Sequence, residues 1–219
     1  MYEEFRETLK GTEGDLGLPA GFLVELLDGD SDWSFVIKIH SLIEAALTHL
    51  LTGAFGRTEL LPLFGRLHTS DTRTGKLAFA KALKLVDRNQ AAFIQTISEL
   101  RNRVVHDVHS VLFSFAAYVE SLDANDRRTF SRAITLPLNR MFGAEPDATR
   151  IEAAKKAARF LVWNCAIDFV MDAFQLKLQF EFERQWAEAQ RRRLGELDPS
   201  YLLTIRDALG RSKENKSEK

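Results

Sequence analysis

The chain has 219 residues, 45% of them hydrophobic, and a formal net charge of −1. That length and apolar content can bury a core as one domain, or as one domain with a helical extension, and the near-neutral charge excludes a protein that coats nucleic acid generally. One cysteine, Cys165, excludes an intrachain disulfide and suits a reducing, cytoplasmic setting, while Met1-Tyr2-Glu3-Glu4-Phe5 is too acidic to open a signal peptide.

In chain order, residues 1–30 form an acidic N-terminal segment, with Gly11, Gly14 and Gly17 marking loops and a short helix at Pro19–Asp28. Asp30-Ser31-Asp32 supplies N-cap chemistry for a strong helix, in which Trp33, Val36, Ile37, Ile43, Ala46, Leu47, Leu50 and Leu51 recur at helical spacing. His40 and Glu44 form an i,i+4 pair on it, read first as a structural ion pair and second as support for a catalytic site.

A short segment at Glu59–Leu67 and a helix at Gly75–Val86 follow. From Asn89 to Val119 the residues Phe93, Ile97, Leu100, Val104, Val108, Val111 and Phe115 step by three or four, which predicts one long helix. Asp123-Ala124-Asn125-Asp126 reads as a turn and cap, and Leu136–Thr149, with Pro137, Gly143 and Pro146, as a loop.

Asp147–Leu194 has no internal proline or glycine and predicts one very long helix, with Asn164, Asp168, Asp172, Gln175, Gln179 and Glu183 tracing a narrow polar stripe. The apolar stretch around Cys165 is broken by Asn164, Asp168 and Asp172, so no transmembrane span is expected there. Arg191-Arg192-Arg193 complements the C-terminal dipole or touches a nucleic-acid backbone. Residues 196–219 read as a short helix and a charged tail. The fold class is all-α, an antiparallel helical bundle over residues 31–195 that ends in a long helix at about 147–194.

Charge is unevenly placed. Residues 1–56 carry three Lys/Arg against ten Asp/Glu, residues 57–103 carry nine against four, and residues 104–219 carry eighteen against seventeen. The basic middle leads into Arg101-Asn102-Arg103-Val104-Val105-His106, where a fixed cation, an amide and an imidazole interrupt the helix pattern. Phosphodiester cleavage needs a proton carrier that works near neutral pH and a cation for the phosphate; histidine and arginine supply them.

These residues, read as Arg-Asn-x-x-x-His with Leu100 and Asp107 flanking them, resemble the motif of the HEPN superfamily. The setting resembles it too: the patterned helix from Asp32 and the shorter helix at Gly75–Leu83 precede the motif, and the likeness covers about residues 32–120. The resemblance implies a dimeric, metal-independent ribonuclease of toxin or defence type, with RNA as substrate and an antitoxin or regulatory protein as a further partner. It also implies catalytic roles for Arg101, Asn102 and His106. His106 would be general base or acid for attack by the ribose 2′-hydroxyl, Arg101 would stabilise the phosphorane, and Asn102 would position phosphate or imidazole.

By layout the chain is also similar to the mannitol-operon repressor family, which supports the rival reading of a non-catalytic regulatory or partner-binding protein. There Arg101 and His106 would only tie a dimer together.

Spacing adds to this. Arg101 and His106 differ by roughly 140° around a helix and about 7.5 Å along it, which favours a site completed by a second subunit. The apolar face around Phe160–Phe174 is a second place for a homodimer to bury. Arg103, with Glu99 and Asp107 four residues away on either side, has local structural partners, whereas Arg101 has no acidic neighbour at i±3 or i±4. Arg103, Lys76, Lys81 and Lys84 are candidate substrate-binding cations. His106 and His109 lack a third ligand on the helix, so no metal is expected, and nothing calls for a cofactor or a membrane.

Overall fold

A computed structural model of the chain describes residues 10, 13–14, 17–29, 31–71, 73–106 and 108–195. The expected short helix and charged tail at 196–219 lie outside the described residues, as do residues 1–9, 11–12, 15–16 and 30 of the acidic entry. Every regular element among the described residues is helical, as an all-α chain requires. The chain forms two compact units, Met1–Leu178 and Gln179–Lys219, whose boundary falls within the 31–195 span.

The first unit begins with α1 (Phe22–Asp28) and α2 (Asp32–Phe55). Glu13 is buried and accepts from the backbone N–H groups of Gly21 at 2.6 Å and Leu23 at 2.7 Å, which satisfies donors that the start of α1 would leave unmade. Ser31 caps α2, accepting from Ser34 N–H at 3.3 Å. At the other end Gly56 takes the left-handed conformation (φ 66°) that a helix terminus reserves for residues without a Cβ.

By length and composition α2 could cross a membrane, but it is the core helix of this unit. Phe35, Val36, Ile39, Ile43, Leu47 and Leu51 are fully buried along it. Around it pack a single 3-10 turn (Thr58–Leu60), α3 (Leu61–Arg66), α4 (Lys76–Ala82) and α5 (Arg88–His106). Then come a 3-10 segment (Val108–Leu112), α6 (Phe115–Ser121), α7 (Ala124–Ala133), α8 (Asn139–Phe142) and α9 (Asp147–Gly195). Asp123 caps α7 as its sequence indicates, accepting from the N–H groups of Asn125 and Asp126 at 2.8 Å each.

The structure differs from the sequence expectation at several places; α4, for one, ends at Ala82 and not at Val86. The motif helix stops at His106, and the chain turns through the 3-10 segment before restarting at Phe115. Phe115 N–H donates to Asp32 Oδ2 at 2.8 Å, and the Phe115 ring meets Phe35 edge-on, so packing against α2 outweighs helix continuation. The loop at Leu136–Thr149 contains α8, whose last turn is held by buried Arg150. Its guanidinium donates to the carbonyls of Phe142 and Gly143 and to Thr135 Oγ1. Helical dihedrals lapse in α9 at Ala157 (φ −145°, ψ 30°).

Within the first unit, α9 carries Leu161, Val162, Trp163, Cys165, Ala166, Phe169 and Val170 into the core. Trp163 Nε1 donates to Leu23 O at 2.9 Å, so the largest buried ring keeps its polar atom satisfied. Cys165 donates weakly to Ile134 O at 3.2 Å, and burial pushes its thiol pKa well up, as for a small core hydrophobe. The polar stripe lies as expected, with Asp168, Asp172 and Gln175 exposed. In the second unit, Phe182 and Trp186 are exposed on the final turns of α9.

Candidate functional site

The motif occupies the last turns of α5, and both Arg101 and His106 lie within that one helix. Phe93, Ile97, Leu100 and Val104 form its buried stripe, which leaves Asn102, Arg103 and His106 exposed and Arg101 half-buried. The terminus is anchored from α2: Trp33 Nε1 donates 2.9 Å to the carbonyl of Val104, one of the acceptors that a helix end leaves without an intrahelical partner.

Arg101 donates through Nη1 to Asn102 Oδ1 at 3.2 Å. Among the described residues no carboxylate pairs with it. Several other arginines are tied down, although Arg191, Arg192 and Arg193 likewise pair with no carboxylate among the described residues. Arg132 grips Asp147 with two hydrogen bonds of 2.7 and 2.8 Å, Arg159 reaches Asp32 at 3.1 Å, and Arg127 donates to the carbonyls of Val119, Glu120 and Leu122.

Beside Arg101, across from α5, is a polar cluster contributed by α2, α4 and the loop between α3 and α4. Lys76 Nζ lies 2.8 Å from Glu44 Oε1, and Thr69 Oγ1 donates to the same oxygen at 3.0 Å. Burial works against the charge on Glu44, but the Lys76 and Thr69 hydrogen bonds outweigh it and hold the carboxyl pKa below its ordinary value. His40 is buried a turn before Glu44 on α2. Its pKa is lowered, chiefly by burial; the Glu44 charge opposes the shift, while those of Arg101 and Lys76 add to it. The ring is therefore held neutral next to the Arg101 guanidinium.

The sequence-based assignments change at three points. Lys76 is not a surface cation available to substrate: it is 1% exposed and committed to Glu44. Gly75 lets the chain come this close, because a Cβ there would sit 2.5 Å from Asp71 O and 2.7 Å from His68 O. His40 and Glu44 share no ion pair, since Glu44 turns to Lys76 and reaches His40 through its charge alone. Arg103 lies over the Tyr118 ring, 5.6 Å from its centroid, while Glu99 accepts instead from Gln95 at 2.7 Å; Asp107, its other expected partner, is outside the described residues.

Lys81 and Lys84 are exposed, and neither hydrogen-bonds to nor pairs with a motif residue. Lys84 takes a left-handed conformation (φ 57°) where the chain leaves α4. The structure thus groups His40, Glu44, Thr69, Lys76 and Arg101. Thr69 has no sequence signature, and its position at the cluster follows only from the path of the loop.

A polar cavity of about 350 Å³ adjoins Arg103, with Thr96, Glu99, Tyr118, Asp126 and Thr129 on its walls. An apolar one of about 460 Å³ lies between α2 and α9, against Leu42, Ala46, Val170 and Phe174, and includes no motif residue. Among the described residues, no three His, Cys, Asp or Glu side chains converge as a metal site would need.

The fold and site define the chain as an all-α protein with a polar, partly open cluster beside the end of one core helix. Comparison with protein-family models, with curated proteins and with solved structures finds no match.

Proposed function

We propose that this protein is an HEPN-like, metal-independent endoribonuclease that acts as a homodimer. The observation that carries the reading is Arg101. It is a half-exposed guanidinium that no carboxylate among the described residues neutralises, on the same helix as the exposed imidazole of His106. A fixed cation of this kind is available for phosphate oxygens, and the histidine for proton transfer. In the reaction a base takes the 2′-hydroxyl proton, O2′ attacks phosphorus, the bond to O5′ breaks and an acid protonates O5′. The products are a 2′,3′-cyclic phosphate and a 5′-hydroxyl. Arg101 stabilises the charge on the phosphorane, and Asn102 orients the guanidinium.

The homodimer is proposed at the motif face. Val105, Val111 and Leu112 are 40%, 52% and 89% exposed there, an apolar rim next to His106 that a second copy would cover. The same rim is what favours the second reading, a non-catalytic protein that uses this face to bind a regulatory partner. Incubation of the pure protein with a mixed RNA pool in EDTA separates the two. Fragmentation supports the enzyme, and an intact pool supports the binding protein.

A further inference from the structure

We propose that the Phe182–Trp186 face of the second unit is a binding strip for single-stranded RNA, with bases stacking on the two rings and the backbone held by the arginines that follow. The proposal rests on the RNA reading above and extends it to residues outside the motif.

Phe182 and Trp186 are 66% and 58% exposed, and their rings are stacked, with centroids 6.4 Å apart and planes 20° from parallel. They sit four residues apart and so share one helix face. Continued along the helix, that face passes Ala189 and Gln190 to Arg193, two turns and about 10.5 Å beyond Trp186. This is the rise of about three stacked nucleotides. Arg191, Arg192 and Arg193 are exposed, and no carboxylate among the described residues pairs with them.

A helix dipole favours cations at this end of α9 whatever their use, but it does not call for two exposed aromatic rings on the preceding turns. A helix–helix seam would need large apolar residues to keep recurring along the face. Leu178, four residues before Phe182, is also exposed, but after Trp186 the face offers only the methyl group of Ala189 before it turns to an amide and a guanidinium. Aromatic faces followed by a hydrogen-bonding amide and clustered positive charge match the chemistry of single-stranded nucleic acid.

The test uses the full chain carrying His106→Ala, so that RNA is not consumed, and a fluorescein-labelled 12-nucleotide oligouridylate followed by anisotropy. Phe182→Ala with Trp186→Ala should weaken binding roughly tenfold or more. Trp186→Phe, which keeps a stacking face, should retain most of the affinity. Replacing all three arginines by alanine should lower the slope of log affinity against log salt by roughly 2, about 0.7 for each phosphate no longer neutralised.

Unchanged affinity in both the aromatic and the arginine variants overturns the proposal, as does a parent that does not bind the oligonucleotide. So does an aromatic variant that splits a dimer without altering RNA affinity, which would make the face a protein interface. Unchanged binding by the variants of a chain whose native form cleaves RNA removes the strip alone. Binding through the strip by a native chain that leaves RNA intact removes the nuclease reading alone.

Discussion

Lys76 holds its ammonium 2.8 Å from Glu44 Oε1 with only 1% of its own side chain exposed, although 32 residues separate the two in sequence. A buried cation with one carboxylate partner makes each depend on the other. Glu44→Gln, which leaves Lys76 charged and unmatched, should destabilise the fold by about 3 kcal/mol in urea denaturation. Glu44→Leu combined with Lys76→Met should recover most of that loss. A neutral effect of the single substitution would show that the pair does not hold α4 against α2.

The same pair sets a pH dependence. Glu44 is held below its ordinary value of 4.5 in the folded chain, so its contribution is present above that value and is lost as pH falls through the lowered one. His40 is held below its ordinary value of 6.5. Folding therefore favours the neutral ring, and that contribution is complete above 6.5 and declines as pH falls below it. Denaturation profiles of Glu44→Gln and His40→Leu should each be flatter on the acid side than the parent. A nuclear magnetic resonance titration that places the His40 midpoint at or above 6.5 would contradict the account.

Arg101 and Arg103 should separate in assays. Arg101→Lys keeps the charge but loses the planar fork, and should lower cleavage roughly a hundredfold. Arg103→Ala removes the cation over the Tyr118 ring and should cost about 0.5–1 kcal/mol of stability with activity changed by less than a few-fold. Equal loss of activity in both would dissolve the distinction.

Arg159 joins two helix ends. It reaches Asp32 Oδ1 at 3.1 Å, donates to the carbonyls of Leu26 and Gly29, and lies 4.7 Å from the centroid of the Phe35 ring. Arg159→Ala should destabilise the chain by about 2–3 kcal/mol. The loss should appear as a lowered denaturation midpoint without a changed slope; a changed slope would mean that the variant alters the unfolded or native compactness instead.

The core was legible where periodicity decides burial. Phe93, Ile97, Leu100 and Val104 step along one face and are all buried, and Arg101 has no acidic neighbour at i±3 or i±4 in the sequence and no paired carboxylate among the described residues. The end of α5 was not legible, because Val108, Val111 and Phe115 keep the same stepping through the 3-10 segment. Only the tertiary hydrogen bond from Phe115 to Asp32 shows the break. Nor was the burial of Lys76, whose basic neighbours in sequence suggested a surface patch while its carboxylate partner came from another helix. Local spacing reports local partners, and this cluster is assembled from three separate stretches of chain.

The central claim is that His106 transfers a proton in RNA cleavage, and the direct measurement compares the parent with His106→Ala on a defined RNA in EDTA, with end-group analysis. The parent should produce 2′,3′-cyclic phosphate and 5′-hydroxyl ends. His106→Ala should produce none while keeping the parent's denaturation midpoint, because the side chain is exposed at the end of α5. Undiminished cleavage by His106→Ala, or RNA left intact by the parent, would contradict it.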